Sequence, residues 1–156
     1  MKPVSPSRPA HYQALLQLLR TADILWSASR VFFARWELSP SQFNVLNLLS
    51  DQTAGLSQIE LGRLLITHRS NVTGLIDRLE KRGLVARKEA AGDRRAYRIV
   101  LTNAGRKLLN QVLPEFHALA NSIWSNTSAA RATQLSSELS ALAANAEKKS
   151  QPKGPS

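Results

Sequence analysis

The sequence predicts a mainly α fold with a small β-hairpin: a winged helix-turn-helix set between longer helical segments. Three observations carry that expectation. Two serine capping boxes open short helices in the middle of the chain. The hydrophobic period changes from 3.6 to 2 immediately after Gly83. Broad apolar stripes at helical spacing run through both ends. The 156 residues, 43% of them hydrophobic, suffice for one real core plus an oligomerisation element.

Residues 10–36 place Leu15, Leu18, Leu19, Ala22, Leu25, Trp26, Phe32, Phe33 and Trp36 on a helical stripe wider than one small domain face needs. The next helix opens at Ser39-Pro40-Ser41-Gln42, with Ser39 as N-cap, Pro40 at the first helical position and Gln42 closing the capping box. Phe43, Leu46 and Leu49 continue it, and residues 51–55 form a loop. Ser57 and Glu60 make a second capping box for a helix ending near Leu65. A turn around residues 66–68 leads to a helix from Arg69 to Arg82, stopped by Gly83 at the position after its C-cap. Two short helices joined by a tight turn fit a helix-turn-helix.

The faces of that last helix differ in chemistry. At about 100° per residue, Val72, Leu75, Ile76 and Leu79 share one sector. The opposite sector holds Ser70, Thr73, Gly74, Asp77, Arg78 and Lys81, small and polar first and basic later. An ordinary solvated face favours Glu, Lys and Gln, whereas this pattern suits a helix that addresses base edges and phosphates. Gly74 costs about 1 kcal/mol relative to Ala in mid-helix. Close approach to a groove wall or phosphate accounts for it, as does tight packing on another helix.

Beyond Gly83, residues 84–88 and 97–101 read as strands, the second with Tyr97, Ile99 and Leu101 on one face. Residues 89–95 form the tip, with a Gly92-Asp93 turn signal. A basic hairpin after a helix-turn-helix reads as a wing whose arginines suit a narrow minor groove. Asp93, two residues before Arg95, either holds that side chain extended or caps a backbone amide in a plain surface turn.

Charge supports the same segment. The chain carries +10 overall, and residues 55–107 hold twelve Lys/Arg against five Asp/Glu, a net of +7. A polyanion is therefore the expected partner. The chain contains no cysteine, which excludes disulfides, Fe–S clusters, zinc ribbons and thiol chemistry. His11, His68 and His117 are isolated, so no metal or other cofactor is expected. There is no G-x-S-x-G, no phosphate-cradling glycine loop and no base–nucleophile pair, so no enzyme is expected. Residues 1–9 lack the apolar core of a signal peptide and no stretch reaches a membrane span's length, which points to a cytoplasmic protein without a membrane partner. Residues 1–9 and 148–156 read as disordered tails.

Taken together, these stretches resemble the MarR family of winged helix-turn-helix transcriptional regulators. The resemblance lies in Leu38-Ser39-Pro40-Ser41-Gln42-Phe43-Asn44-Val45-Leu46, in Ser57-Gln58-Ile59-Glu60-Leu61-Gly62, and in the run from Ser70 to Val85 that includes Arg78-Leu79-Glu80-Lys81-Arg82-Gly83-Leu84. It continues through Asp93-Arg94-Arg95-Ala96-Tyr97-Arg98-Ile99-Val100-Leu101-Thr102-Asn103-Ala104-Gly105. The resemblance implies a homodimer on a pseudo-palindromic double-stranded DNA operator, usually as a repressor. By position, Ser70, Asn71, Thr73 and Gly74 would face bases or phosphates. Arg69, Arg78 and Lys81 would contact or position the backbone. Asp93 would orient Arg95 in the minor groove, with Arg94 as a second wing contact, while Asp77 either pairs with a neighbouring base or touches DNA. A winged-helix protein-interaction module, or a basic nucleic-acid-binding module without operator specificity, is the competing reading.

The flanks carry the dimer argument. Thr102 caps a helix from Ala104 with Leu108, Leu109, Val112, Leu113, Phe116, Ala120, Ile123 and Trp124 on its apolar face, and Pro114 is expected to kink or split it. A last helix from about 129 to 147 carries Leu135, Leu139, Leu142 and Ala146 as a narrow seam. Residues 10–36 and 115–147 thus form the expected helical dimerisation region, with Leu15, Leu19, Leu135, Leu139 and Leu142 at its interface, around a DNA-binding domain of residues 37–114. An intramolecular bundle is the alternative. The resemblance also implies a small aromatic or anionic effector, for which Trp26, Phe32, Phe33, Trp36, Phe43 and Phe116 form a candidate pocket; plain core is the other reading of that stripe.

Overall fold

The computed structural model describes residues 9–65, 72–90 and 93–150; the side chains of residues 90 and 93–96 lie outside that description. Its elements in chain order are α1 (Ala10–Ala34), α2 (Pro40–Ser50), α3 (Gln58–Leu64), α4 (Val72–Lys81), β1 (Val85–Ala90), β2 (Asp93–Leu101), α5 (Asn103–Ile123) and α6 (Ala129–Ser150). The chain divides after Leu113 into two compact units.

Local chemistry sets the boundaries in the first unit. Ser39 Oγ accepts from the Gln42 amide at 3.1 Å while Gln42 Oε1 accepts from the Ser39 amide at 2.8 Å. Ser57 and Glu60 repeat the exchange at 3.2 and 2.7 Å. Each box satisfies helix-terminal donors that no carbonyl of the helix can reach. At the other end of α4, Gly83 adopts φ 69°, its amide donates to Glu80 and the Leu84 amide donates to Leu79. Those two bonds form a Schellman motif, which needs a left-handed residue at this position.

The core is built from α2, α3, α4, the base of the hairpin and the first half of α5. Val45, Leu46, Leu61, Ile76, Leu79, Ile99 and Val112 are fully enclosed. Phe33, at the end of α1, stacks on Phe43 with centroids 4.4 Å apart. β1 and β2 pair antiparallel from Val85↔Leu101 to Glu89↔Tyr97, with a register shift after Glu89. Leu56 adds an antiparallel bridge to Ile99, so the loop before α3 closes onto the sheet. The hairpin strands reach further toward the tip than the alternation predicted, and Tyr97 is 52% exposed where Ile99 is buried. Tyr97 therefore lies beyond the edge of the core that Ile99 seals.

Two expectations need correction. Of the two outcomes expected at Pro114, a kink or a split, the split does not occur: α5 runs from Asn103 to Ile123 with the proline inside. A proline removes one donor and crowds one carbonyl, a local cost of about 3 kcal/mol that flanking turns can carry. The last helix extends to Ser150, three residues into the segment expected to be a tail.

In the second unit a turn closed by Thr127 N–H to Trp124 O, 2.7 Å, leads into α6, and Ser128 Oγ accepts from the Arg131 amide at 3.3 Å. No residue of α6 is buried. Much of α1 is similar: Leu15, Leu19, Ile24 and Val31 are 53–76% exposed, and Phe33 is its one buried residue. So much uncovered apolar surface on two long helices costs solvation free energy in an isolated chain.

Candidate nucleic-acid interface

The interface candidates gather on α4 and the hairpin. Val72, Leu75, Ile76 and Leu79 are all buried, at 6% exposure or less, and they fix the rotation of α4 about its axis. With that sector turned inward, Thr73, Asp77, Arg78 and Lys81 are exposed and Gly74 is half-buried. The sequence-derived two-faced helix is thus the one the core enforces. Arg69, Ser70 and Asn71 lie outside the described residues, and so does His68. Asp93, Arg94 and Arg95 begin β2, but their side chains also lie outside the description.

The described cations near this face divide into two groups. Arg63, Arg78, Lys81 and Lys88 are exposed. Arg82, Arg87 and Arg98 instead use their guanidinium groups in bonds to other parts of the domain, although Arg82 is itself exposed. Arg82 donates to the Glu37 carbonyl and lies 3.4 Å from the Trp36 carbonyl, tying the end of α4 to the turn after α1. Arg98 donates Nε to Ala54 O at 2.9 Å and Nη2 to Gly55 O at 2.7 Å, closing the loop before α3. Part of the +7 counted on this segment is therefore structural, an assignment that counting charges along the chain cannot make.

Arg87 settles the place of Asp77. Its Nη2 lies 2.6 Å from Asp77 Oδ1, its Nη1 pairs with Glu80 Oε2, and its own amide donates to Glu80 Oε1 at 3.0 Å. The hydrogen bond that Arg87 donates to Asp77, with the nearby Glu80 charge, raises the Arg87 pKa above its usual value against the opposing effect of burial. Asp77 thus pairs with a base on β1. Arg87 was absent from the sequence-derived site; the available signal was two acids three residues apart on one face of α4, facing a strand that starts four residues later.

The aromatic candidates are distributed unevenly. Phe33 and Phe43 are buried and stacked, and Phe32 meets Phe33 edge-on at 5.0 Å, with Arg35 over the Phe32 ring at 4.8 Å. Trp26 is 37% exposed, and Trp36 is half-buried with its indole N–H enclosed and lacking an acceptor among the described residues. Phe116 belongs to the second unit. Leu15, Leu19, Leu135 and Leu142 are exposed and Leu139 is half-buried.

Comparison with known proteins agrees with this geometry. A family model described as MarR family matches residues 36–96. The transcriptional repressor MprA of Escherichia coli is 35% identical over 91 residues, covering 58% of this chain and 52% of MprA, so the chain spans about half the length of that relative. An uncharacterised HTH-type transcriptional regulator of Bacillus cereus is 30% identical over 109 residues, 70% of this chain and 71% of its own. Among solved structures, CouR from Rhodococcus jostii RHA1, bound to p-coumaroyl-CoA, superposes with a TM-score of 0.78 at 25% identity, covering 88% of this chain and 96% of CouR.

Proposed function

The chain belongs to the MarR family, and from that membership we propose that it is a sequence-specific regulator of transcription, acting in the cytoplasm as a homodimeric repressor on a pseudo-palindromic DNA operator. The observation that carries the reading is the rotation of α4: a fully buried apolar sector leaves Thr73, Arg78 and Lys81 outward beside a basic hairpin. In this reading α4 enters the major groove, where Ser70, Asn71, Thr73 and Gly74 meet bases or phosphates and Arg69, Arg78 and Lys81 hold the backbone. Asp93 orients Arg95 into the minor groove, with Arg94 beside it. No helix among the described residues is long and apolar enough to cross a membrane.

The exposed apolar residues of α1 and α6, Leu15, Leu19, Leu135 and Leu142 among them, are covered in this reading by a second copy, with Leu139 completing the seam. Two copies of α4 then address half-sites about 34 Å apart, one turn of the duplex. A small aromatic or anionic effector is the proposed ligand of the aromatic residues of the first unit, Trp26, Phe32, Phe33, Trp36 and Phe43, without Phe116 of the second; the enclosed Trp36 indole N–H supports a polar acceptor there.

Selection of bound sequences from a random duplex pool tests the function. The expected result is an inverted repeat with half-site centres about ten base pairs apart. Binding to that repeat should fall steeply with salt on a log–log plot. A pool that yields no preferred sequence overturns operator recognition.

A further inference from the structure

We propose that Arg87 is a positioning residue for DNA binding: by clamping Asp77 and Glu80 of α4 onto β1, it neutralises the negative charge of Asp77 on the outward face of the recognition helix. The proposal rests on the DNA-binding reading above. Asp77 shares its sector with Thr73, Arg78 and Lys81, and its side chain is 57% exposed. Left unpaired there, a carboxylate would repel the phosphates that the neighbouring cations attract. Arg87 reaches it from the strand behind, with Nη2 at 2.6 Å from Asp77 Oδ1, and its own side chain is only 26% exposed. Arg87 is thus shielded by the protein while its partner faces outward.

The second half of the clamp fixes the root of the hairpin. Glu80 accepts from the Arg87 amide at 3.0 Å and from Nη1 of the same residue. One carboxylate thereby holds both backbone and side chain of a single strand position. The planar guanidinium suits this task because its donors point in two fixed directions at once, which a lysine ammonium cannot reproduce. One group of three charges therefore ties the start of β1 to α4 and balances the charge on the helix's outward face.

The test uses the full-length chain, the duplex recovered by selection, and a titration at low and high salt, with a thermal melt for every variant. Arg87→Gln should weaken binding at least about tenfold at low salt, because two carboxylates are then uncompensated. That deficit should narrow at high salt as the repulsion is screened. The double variant Asp77→Asn with Arg87→Gln has the wild-type net charge and should regain most of the loss. Asp77→Asn alone should bind no more weakly than wild type.

Wild-type affinity in Arg87→Gln overturns the proposal, as does a double variant that stays as weak as the single one. A deficit that persists unchanged at high salt also overturns it, because distorted folding, unlike unmasked charge, is not screened. Should Arg87→Gln fail to fold, Asp77→Asn decides alone: weaker binding shows that the carboxylate contacts DNA and overturns the proposal, and equal or tighter binding supports it. A wild-type protein that binds no duplex overturns the underlying function, a result distinct from all of these.

Discussion

Glu37 and Gly83 occupy the same position in two helix endings, and only one of them is suited to it. Both follow a helix with positive φ, 53° and 69°. At each, the amide bonds back three residues and the next amide bonds back five, Leu38 to Phe33 in the first case and Leu84 to Leu79 in the second. A left-handed conformation costs an L-residue about 1–2 kcal/mol and glycine almost nothing. Glu37→Gly is therefore expected to stabilise the protein by about 0.5–1 kcal/mol, the gain trimmed by glycine's freer unfolded chain. The Arg82 bond to the backbone carbonyl survives, and the 3.8 Å ion pair of Arg82 with the exposed Glu37 carboxylate is lost at little cost. Gly83→Ala is expected to destabilise by about 1 kcal/mol through backbone strain alone, since no described atom lies within 4 Å of the added carbon. Thermal melts of the two variants should shift in opposite directions. Glu60 adds a pH effect: hydrogen bonds from the Ser57 amide and hydroxyl lower its pKa. Its depressed value means the capping stabilisation is complete above the ordinary glutamate pKa and disappears as pH falls through the lowered one. Glu60→Gln should flatten that part of the acid limb of stability against pH.

At the scale of elements, the contrast lies between helices rotated by a core and helices with little core to meet. α4 buries Val72, Leu75, Ile76 and Leu79, so its outward face is fixed to within a few tens of degrees and can present a defined set of side chains. α6 buries nothing within the chain, although Leu135, Leu139 and Leu142 keep an apolar seam along it. The proposed dimer gives that seam its partner. Leu139→Glu should then shift the protein toward monomer in sedimentation while leaving the α2–α4 core intact. A variant that sediments like wild type at the same concentration removes α6 from the interface. α5 shows how far a single breaker can be outvoted, since its helix continues through Pro114 while Gly105, Leu109 and Val112 anchor its first half in the core.

For the whole molecule, the useful quantity is the number of cations left outward after internal bonding. Arg82, Arg87 and Arg98 hold carbonyls or carboxylates of the domain itself, while the exposed Arg63, Arg78, Lys81 and Lys88 make no such bond among the described residues. The proposed operator complex therefore draws its electrostatics from these and from the wing. Arg95→Ala is expected to weaken operator binding by about 1–3 kcal/mol, the scale of one well-placed groove contact, with sedimentation unchanged. An unaltered affinity would take the wing out of the mechanism.

Local chemistry written along the chain determined much of this protein. Both capping boxes, the Gly83 stop and the two-faced pattern of α4 depend on interactions spanning a few residues, the β-hairpin on a change of period around one turn signal, and the pattern shows them directly. Tertiary structure decided which charges face outward. Arg82 meets Glu37 across 45 positions, and Arg98 meets Ala54 across 44, separations over which side-chain spacing carries no signal. Asp77 shows the boundary between the two kinds of information. Its place on the polar sector of α4 follows from helical periodicity, whereas its pairing with Arg87 exists because packing of the buried sector brings β1 alongside that helix. Periodicity determines which side of an element a residue occupies, and only the folded core determines what stands opposite it.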